Sequence, residues 1–374
     1  MVKIAILGLG TIGYGVYDII SNRVENVEVK RIFDKDFSKQ ELVGNKITTN
    51  FDEIVNDEEI SIIVETLGGL DFPYSLIKKA IQNKKHVVTA NKEVMARYFK
   101  ELMELKDQFG VSLSFEASVG GGVPIIKNLI DVANTNDVTA ISGIINGTTN
   151  FILTKLNQGY EFDAALKLAQ ELGFAEADSS YDLDGLDMLR KISILTSIAT
   201  NKIVDVDKVY HYSMKDVTLE DINFVKRFGF NLKYLASYDK AFIGVEPTLV
   251  KGMFSQVNNE YNLISVDASN YGNLKFYGKG AGRYATANAI VNDINDIING
   301  NKNYLFTGKE ELKLEEDNNE YVFYLRVKDP KLIDDDIVFR QENNCILTKN
   351  IKRSSIDFSN VLFYARAKWG GLYV

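Results

Sequence analysis

The chain has 374 residues, 45% of them hydrophobic and 25% charged, the composition of a globular protein of two or three domains. Its formal net charge is −8 with no long basic block, which disfavours nucleic acid or an anionic membrane surface as a partner. One cysteine, Cys345, excludes an intrachain disulfide, two histidines are too few for an ordinary zinc site, and nothing approaches ~18 consecutive apolar residues, so a cytoplasmic protein without a membrane span is expected.

The N-terminus, MVKIAILGLG, enters a strand at once, with no basic leader. Val2 to Gly8 reads as a strand, Ile12 to Arg23 as a helix, Val27 to Asp34 as a second strand and ISIIVETLG, from Ile60, as a third. A helix over Phe72 to Lys84 and a strand over His86 to Ala90 follow. Next come an amphipathic helix over Lys92 to Phe109, closed by Gly110, and a fifth strand over Val111 to Ser118. Apolar strands alternating with helices imply a parallel sheet covered on both faces.

The middle of the chain changes character. A strand at Val138 to Gly147 precedes helices at Asn150 to Asn157, Asp163 to Leu172 and Leu186 to Thr200. Strands FNLKYLASY and AFIGVEPTLV, then Asn262 to Ser269 and Leu274 to Tyr277, suggest an α+β domain with a mixed sheet. The helix at Ala287 to Ile298 is placed to return to the first domain. Polar stretches at Asn299 to Tyr304 and Lys309 to Glu320 read as a linker. EYVFYLRVKDP, CILTKNI and VLFYARAK then alternate as half-buried antiparallel strands. The expected division is a nucleotide-binding domain over 1–135 with a return helix at about 282–300, a substrate-binding and dimerisation domain over 136–281, and a small third unit over 320–374.

ILGLGTIG supplies Gly8, Gly10 and Gly13 as G-x-G-x-x-G, directly after an apolar strand and opening a helix. Gly8 permits the tight turn, Gly10 lets the backbone approach a pyrophosphate, and Gly13 allows close packing. Thr11 and Ile12 open the helix, whose first N–H groups suit an anion. Thr66, within the third strand's ISIIVETLG, is a further candidate cofactor contact. Asp34 ends the second strand, where an acid holds the adenosine ribose hydroxyls and favours NAD. Lys35 follows at once and suits a 2′-phosphate, so NAD and NADP both stand, with a slight lean to NAD.

The run AEADSSYDLDGLDMLRK places Glu176, Asp178, Asp182, Asp184 and Asp187 ahead of Lys191. Asp187 and Lys191 are four apart, hence on one helix face. Spacing alone favours an exposed pair worth ~0.3–0.5 kcal/mol. An EF-hand fails, because Ser180 stands at the first ligand position and Lys191 where a bidentate Glu is needed.

Several strings converge in order and spacing: TANKE (Thr89 to Glu93), EASVGGGVP (Glu116 to Pro124), GIINGTTNFIL (Gly143 to Leu153), LGFAEADSSYDLDGLDMLRK and GKGAGRYATANAIVND. Over about 1–300 the chain resembles homoserine dehydrogenase. It departs from the family at Ser179 and Ala285, turn positions where proline is usual or frequent. The tail strand YVFYLRVKDP resembles the first strand of an ACT domain, but KLIDDDIVF replaces the helix that would follow. The fold expected is α/β: a Rossmann-type domain, an α+β substrate and dimerisation domain, and a small β-rich, degenerate ACT-like unit.

The resemblance implies NAD(P)-dependent interconversion of L-homoserine and L-aspartate 4-semialdehyde, in threonine, methionine and isoleucine biosynthesis. Lys191 is then the acid/base at the substrate oxygen. Free lysine titrates near ~10.4, so an apolar, buried setting would be needed to lower it, and Asp187 would oppose that lowering while orienting the lysine or the substrate. Lys92 becomes a second catalytic or positioning cation between nicotinamide and substrate. Glu176 and Asp182 hold the substrate ammonium or shape its pocket, while Asp178 and Asp184 are equally well ordinary loop or capping residues. Gly147 and Thr148, after Asn146, take the substrate carboxylate at a helix start, where a simple N-cap is the plain alternative. Glu116, Val119, Gly121 and Val123 form a monovalent cation site, typically sodium, in a stretch that otherwise reads as a glycine-rich hinge. Gly280 and Gly282 approach the cofactor or serve packing. The family is commonly dimeric or tetrameric, and the strands after Phe230 are available to pair across a two-fold axis. Two rivals are a dehydrogenase of another small substrate and a nucleotide- or amino-acid-sensing protein without catalysis. Aspartate semialdehyde dehydrogenase is disfavoured, since it needs a cysteine nucleophile and Cys345 lies in the tail.

Overall fold

The computed structural model describes residues 1–301 and 304–367. Residues 302–303 of the expected linker and 368–374 of the expected third unit, including the last residue of VLFYARAK, lie outside them.

The N-terminal part forms one parallel sheet. Its strands are β1 (Val2–Leu7), β2 (Val27–Phe33), β3 (Ile47–Thr48), β4 (Ile60–Glu65), β5 (His86–Thr89) and β6 (Leu113–Ser114), in the order β3-β2-β1-β4-β5-β6. This is the doubly wound Rossmann order, in which ligands bind beyond the strand C-termini where the order reverses, here between β1 and β4. Ile4, Ile6, Ile62, Ile63 and Val64 are fully or almost fully buried, as a sheet covered on both faces requires.

The helix Arg283–Ile298 returns from the far end of the domain sequence to close this sheet. It crosses the helix Thr11–Arg23 at Gly15, where a Cβ would come within 2.9 Å of the Arg283 side chain and 3.1 Å of Ala287. Its Ala287, Ile290 and Ile294 share a core with Ile4, Ile6 and Val16.

The second sheet has ten strands. They are β7 (Val138–Ile144), β8 (Tyr210–His211), β9 (Asn231–Asp239), β10 (Phe242–Val250), β11 (Tyr261–Ala268), β12 (Gly272–Lys279), β13 (Phe323–Val327), β14 (Val338–Glu342), β15 (Cys345–Thr348) and β16 (Val361–Ala367). The order is β12-β11-β7-β9-β10-β16-β13-β15-β14, with β8 against β10. β9 and β10 are interior strands paired with each other, so the open edge near the active end belongs to β12. No helix among the described residues is long and apolar enough to cross a membrane.

Two expectations are corrected. The fifth strand is only Leu113–Ser114, and a single 3-10 turn, Glu116–Ser118, replaces its second half. The alternation of VSLSFEAS is real, but the Ser118 hydroxyl donates to the Phe115 carbonyl at 2.6 Å and turns the chain. The C-terminal strands also do not stand apart. β16 runs parallel to β10, opposing Arg366 to Thr248. Next to this seam buried Glu246 accepts from Arg366 Nε at 2.6 Å and from the Tyr364 hydroxyl at 2.7 Å. Removing one partner of such a buried pair leaves the other charge uncompensated, so the seam is strongly specified. KLIDDDIVF forms short 3-10 turns and enters β14; no α-helix occurs among residues 304–367.

Candidate active site

One end of the site is made of backbone. Gly8 has φ +93° and donates its N–H to Phe33 O at 2.8 Å, a conformation that favours glycine. A Cβ on Gly13 would lie 1.9 Å from Gly8 O and 2.8 Å from Thr66 Oγ1. The Thr66 hydroxyl in turn donates to Leu7 O at 3.0 Å and Gly8 O at 2.9 Å, stitching β4 to the loop. Gly10 precedes the helix Thr11–Arg23 with no side-chain cap and open space where a Cβ would be. The first-turn N–H groups, from Thr11 and Ile12 onward, are thus left for an anion.

Asp34 stands at the end of β2 beside this loop. Its Oδ2 accepts from Leu9 N at 2.7 Å and Lys39 Nζ at 3.0 Å, and its Oδ1 from Asp36 N at 2.9 Å. Burial pushes the carboxyl up, but those two backbone donors and Lys39 together hold it below the usual range. Lys35 is exposed. The cation that reaches Asp34 is Lys39, which the sequence reading missed; its signal was the D-x-D-x-S-K turn, where Asp36 caps the 3-10 turn Phe37–Lys39.

The other end is made of side chains from four distant segments. The helix Leu186–Thr200 begins after Gly185 (φ +82°), with Asp187 in its first turn and Lys191 one turn on. Asp187 Oδ2 accepts from Lys191 Nζ at 2.8 Å and from Asn146 Nδ2 at 2.9 Å. Its Oδ1 lies 3.1 Å from Lys92 Nζ. Lys92 starts the helix Lys92–Phe109, which Asn91 caps. Lys191 also donates to Ile145 O at 2.8 Å, so its surroundings are ionic and polar, not the apolar setting that lowering a lysine requires.

Asn146 is the hub that sequence reading undervalued. Its Nδ2 bridges Asp187 and Asp182 Oδ1 (2.8 Å), while its Oδ1 caps the helix Gly147–Asn157 at Thr149 N. The signal was an N-cap asparagine before GTTN. The Thr148 hydroxyl donates to Phe174 O at 2.6 Å, fixing the loop that follows. Tyr181, also unforeseen, donates its hydroxyl to Glu93 at 3.1 Å and stacks its ring against Arg190. Glu176 does not join the cluster; its side chain is exposed, and among the described residues its backbone carbonyl accepts from Ser179 and Gln170. Asp178 accepts from Ser180 N, and Asp184 pairs with Lys215 at 2.6 Å, both ordinary local roles.

These charges shift one another. Burial raises the Asp187 carboxyl, but Lys191 and Lys92 outweigh it and hold it well below the carboxylate range. The Asp187 charge raises Lys92, against burial. Burial, then the Asp187 charge, raises Asp182. The site thus sets two lysines around one firmly ionised carboxylate, with a second carboxylate that protonates more readily beside it.

One cavity of about 480 Å³ joins the two ends. Ile12, Gly280 and Gly282 line it on the nucleotide side; Lys92, Asn146, Asp187 and Lys191 line it on the other. Gly280 packs so closely on Asn262 that a Cβ would fall 1.8 Å from its amide, and Gly282 has φ +118°. Glu260 and Phe174 also reach this cavity and were not anticipated.

The glycine-rich stretch curls at the rim. Glu116 caps the helix Ile126–Ala133: its Oε1 accepts from Ile125 N (2.6 Å) and Ile126 N (2.8 Å), its Oε2 from Lys127 N (2.9 Å). Burial raises this carboxyl against those three bonds. Gly120 O takes Val123 N–H, whereas the carbonyls of Val119, Gly121 and Val123 accept none of the loop's backbone bonds among the described residues. The Glu116 carboxylate is thus already engaged by three backbone donors. No group of three or more His, Cys, Asp or Glu among the described residues is placed to hold a metal ion.

A pyrophosphate cradle opening into the same cavity as a lysine–aspartate–lysine cluster defines an NAD(P)-dependent oxidoreductase, since a hydride carrier and a proton donor must meet at one carbon–oxygen bond. The comparisons narrow the class. Residues 8–116 match the family model described as homoserine dehydrogenase, NAD binding domain, and residues 124–295 match homoserine dehydrogenase. The chain belongs to the homoserine dehydrogenase family. It is 41% identical to the homoserine dehydrogenase of Synechocystis sp. over 317 residues, covering 79% of this chain and 73% of that protein. The crystal structure of a homoserine dehydrogenase from Thiobacillus denitrificans superposes with a TM-score of 0.88 at 29% identity, covering 98% of each chain. A hyperthermophilic archaeal homoserine dehydrogenase in complex with NADPH superposes with a TM-score of 0.71 at 26% identity, covering 81% of this chain and 99% of that one.

Proposed function

We propose that this chain interconverts L-homoserine and L-aspartate 4-semialdehyde, and that Lys191 moves the proton at the reacting oxygen. The observation that carries the reading is the convergence of Lys92 and Lys191 on opposite oxygens of one buried Asp187. A nicotinamide held beside this cluster would supply the hydride in reduction and accept it in oxidation. Lys191, as ammonium, gives its proton to the oxygen in reduction and, as amine, takes it back in oxidation. Asp187 holds both lysine heads in place. Lys92, charged and half-buried at the helix start, stabilises negative charge developing on the same oxygen. Asp182 receives the substrate ammonium, and the N–H groups at Gly147 and Thr148 receive its carboxylate.

The nucleotide is held by the Gly8–Gly13 loop and its pyrophosphate-facing helix start, by Asp34 and by the Gly280–Gly282 strand end. A monovalent cation, sodium by preference, fits the carbonyls of Val119, Gly121 and Val123, with Glu116 tethering that loop to a helix rather than ligating. The same reading places the chain in the cytoplasm, as its single buried thiol suits. Assembly is as a homodimer or homotetramer, which the open edge of β12 with its exposed Tyr277 supports. The domain division follows the two sheets: 1–135 with the return helix, 136–281, and a tail at 320–374 that adds strands to the second sheet.

The test is homoserine-dependent reduction of NAD and of NADP by the purified chain. Turnover with either nucleotide is expected. Cofactor binding without turnover on homoserine would overturn the reading in favour of a sensor or another substrate.

A further inference from the structure

We propose that Lys39, not Lys35, selects between the two nucleotides, by drawing the adenosine 2′-phosphate of NADP to the end of β2. This rests on the dehydrogenase reading above and concerns its nucleotide site alone. The stretch DKDFSK folds back on itself: Asp36 N donates to Asp34, Asp36 caps the turn Phe37–Lys39, and Lys39 arrives with its ammonium 3.0 Å from Asp34 Oδ2. Lys35 is carried outward by the same turn and is exposed.

A carboxylate has about four acceptor positions. Three on Asp34 are used, by Leu9 N, Asp36 N and Lys39. One remains, whereas a two-handed grip on the ribose 2′- and 3′-hydroxyls needs two. Lys39 therefore competes with the ribose of NAD for Asp34. It has the opposite effect on NADP, because it screens the Asp34 charge that would repel a 2′-phosphate and donates to that phosphate itself. The backbone donors Leu9 and Asp36 stay on the carboxylate in either case. The pair works as a balance: Asp34 alone favours NAD, and Lys39 brings NADP within reach.

The test is direct binding, read by quenching of protein fluorescence or by calorimetry, to NADH, NADPH and the fragments 5′-AMP and adenosine 2′,5′-bisphosphate. Lys39→Met should weaken NADPH and the bisphosphate by roughly 10- to 100-fold, the range of a lost charge-assisted hydrogen bond. NADH and 5′-AMP should bind as before or more tightly. Lys35→Met should leave the ratio of the two nucleotides within about 3-fold, as expected of an exposed charge. Unchanged NADPH and bisphosphate binding in Lys39→Met, or a loss in Lys35→Met instead, would overturn the assignment while NADH binding and homoserine turnover keep the dehydrogenase reading intact. Failure of the unaltered chain to bind either dinucleotide would overturn both.

Discussion

The two ends of the active cavity are built by opposite means. The phosphate cradle at the nucleotide end is a short local segment, Gly8 to Gly13, in which missing side chains make room for close backbone approach. The substrate end gathers Lys92, Asn146, Asp182, Asp187 and Lys191 from segments up to about a hundred residues apart in sequence. The first must exclude atoms, and the second must supply charges. Damage to the first should therefore come from adding a methyl group, and damage to the second from removing a head group.

The sharpest test of that contrast is Lys191→Ala. Its kcat should fall by roughly 10²- to 10⁴-fold, the usual worth of a positioned acid/base, while nucleotide affinity measured by titration stays within about 3-fold. A variant that kept its turnover would end the case for Lys191. Gly13→Ala should do the reverse. The new Cβ must displace the Gly8 carbonyl, so nucleotide binding should weaken by roughly 10-fold or more and stability drop by ~1–3 kcal/mol. Equal affinity in calorimetry would show that the loop tolerates side chains after all.

Asp182→Asn separates binding from stability. The KM for homoserine should rise by roughly 10-fold, with a smaller change in kcat. Burial and Asp187 raise the Asp182 carboxyl above its ordinary 3.8, so ionising it opposes folding as pH rises through and beyond that value. The Asn variant should melt higher than the parent at pH 7, with the gain vanishing below about pH 3.8. Asp187 has the opposite sign. Its lowered carboxyl contributes stability that is complete above about pH 3.8 and lost as the pH falls further, so Asp187→Asn should flatten the acid limb of a denaturation series. An unchanged acid limb would mean that the two lysines do not stabilise its charge. The smallest effect is expected at Asp184→Ala, which removes only the outer pair with Lys215: within about 0.5 kcal/mol in urea melts, and no change in kcat. A large loss there would extend the functional acid cluster beyond the cavity.

Local patterns were read well where their cause was local. The helices Lys92–Phe109 and Leu186–Thr200 begin and end as the sequence indicates, because Asn91 and Gly110 punctuate one and Gly185 opens the other. The run Val111 to Ser118 was misread because alternation cannot report that Glu116 is claimed by another helix's N–H groups. Glu176 was placed in the site with its neighbours, although its loop turns it to solvent. Asn146 is undervalued and Tyr181 invisible in the sequence because their partners lie far along the chain.

The sequence by itself determined the parallel nucleotide sheet, the glycine cradle and the Asp187–Lys191 spacing, since hydrophobic period, turn residues and helical pitch act over a few residues. Only the tertiary structure decided that Lys92 and Lys191 share one carboxylate, that Lys39 rather than Lys35 reaches Asp34, and that the tail strands complete the second sheet through Glu246 and Arg366. Those outcomes depend on which buried charge finds which partner across the core, and that is set by the closure of the whole chain.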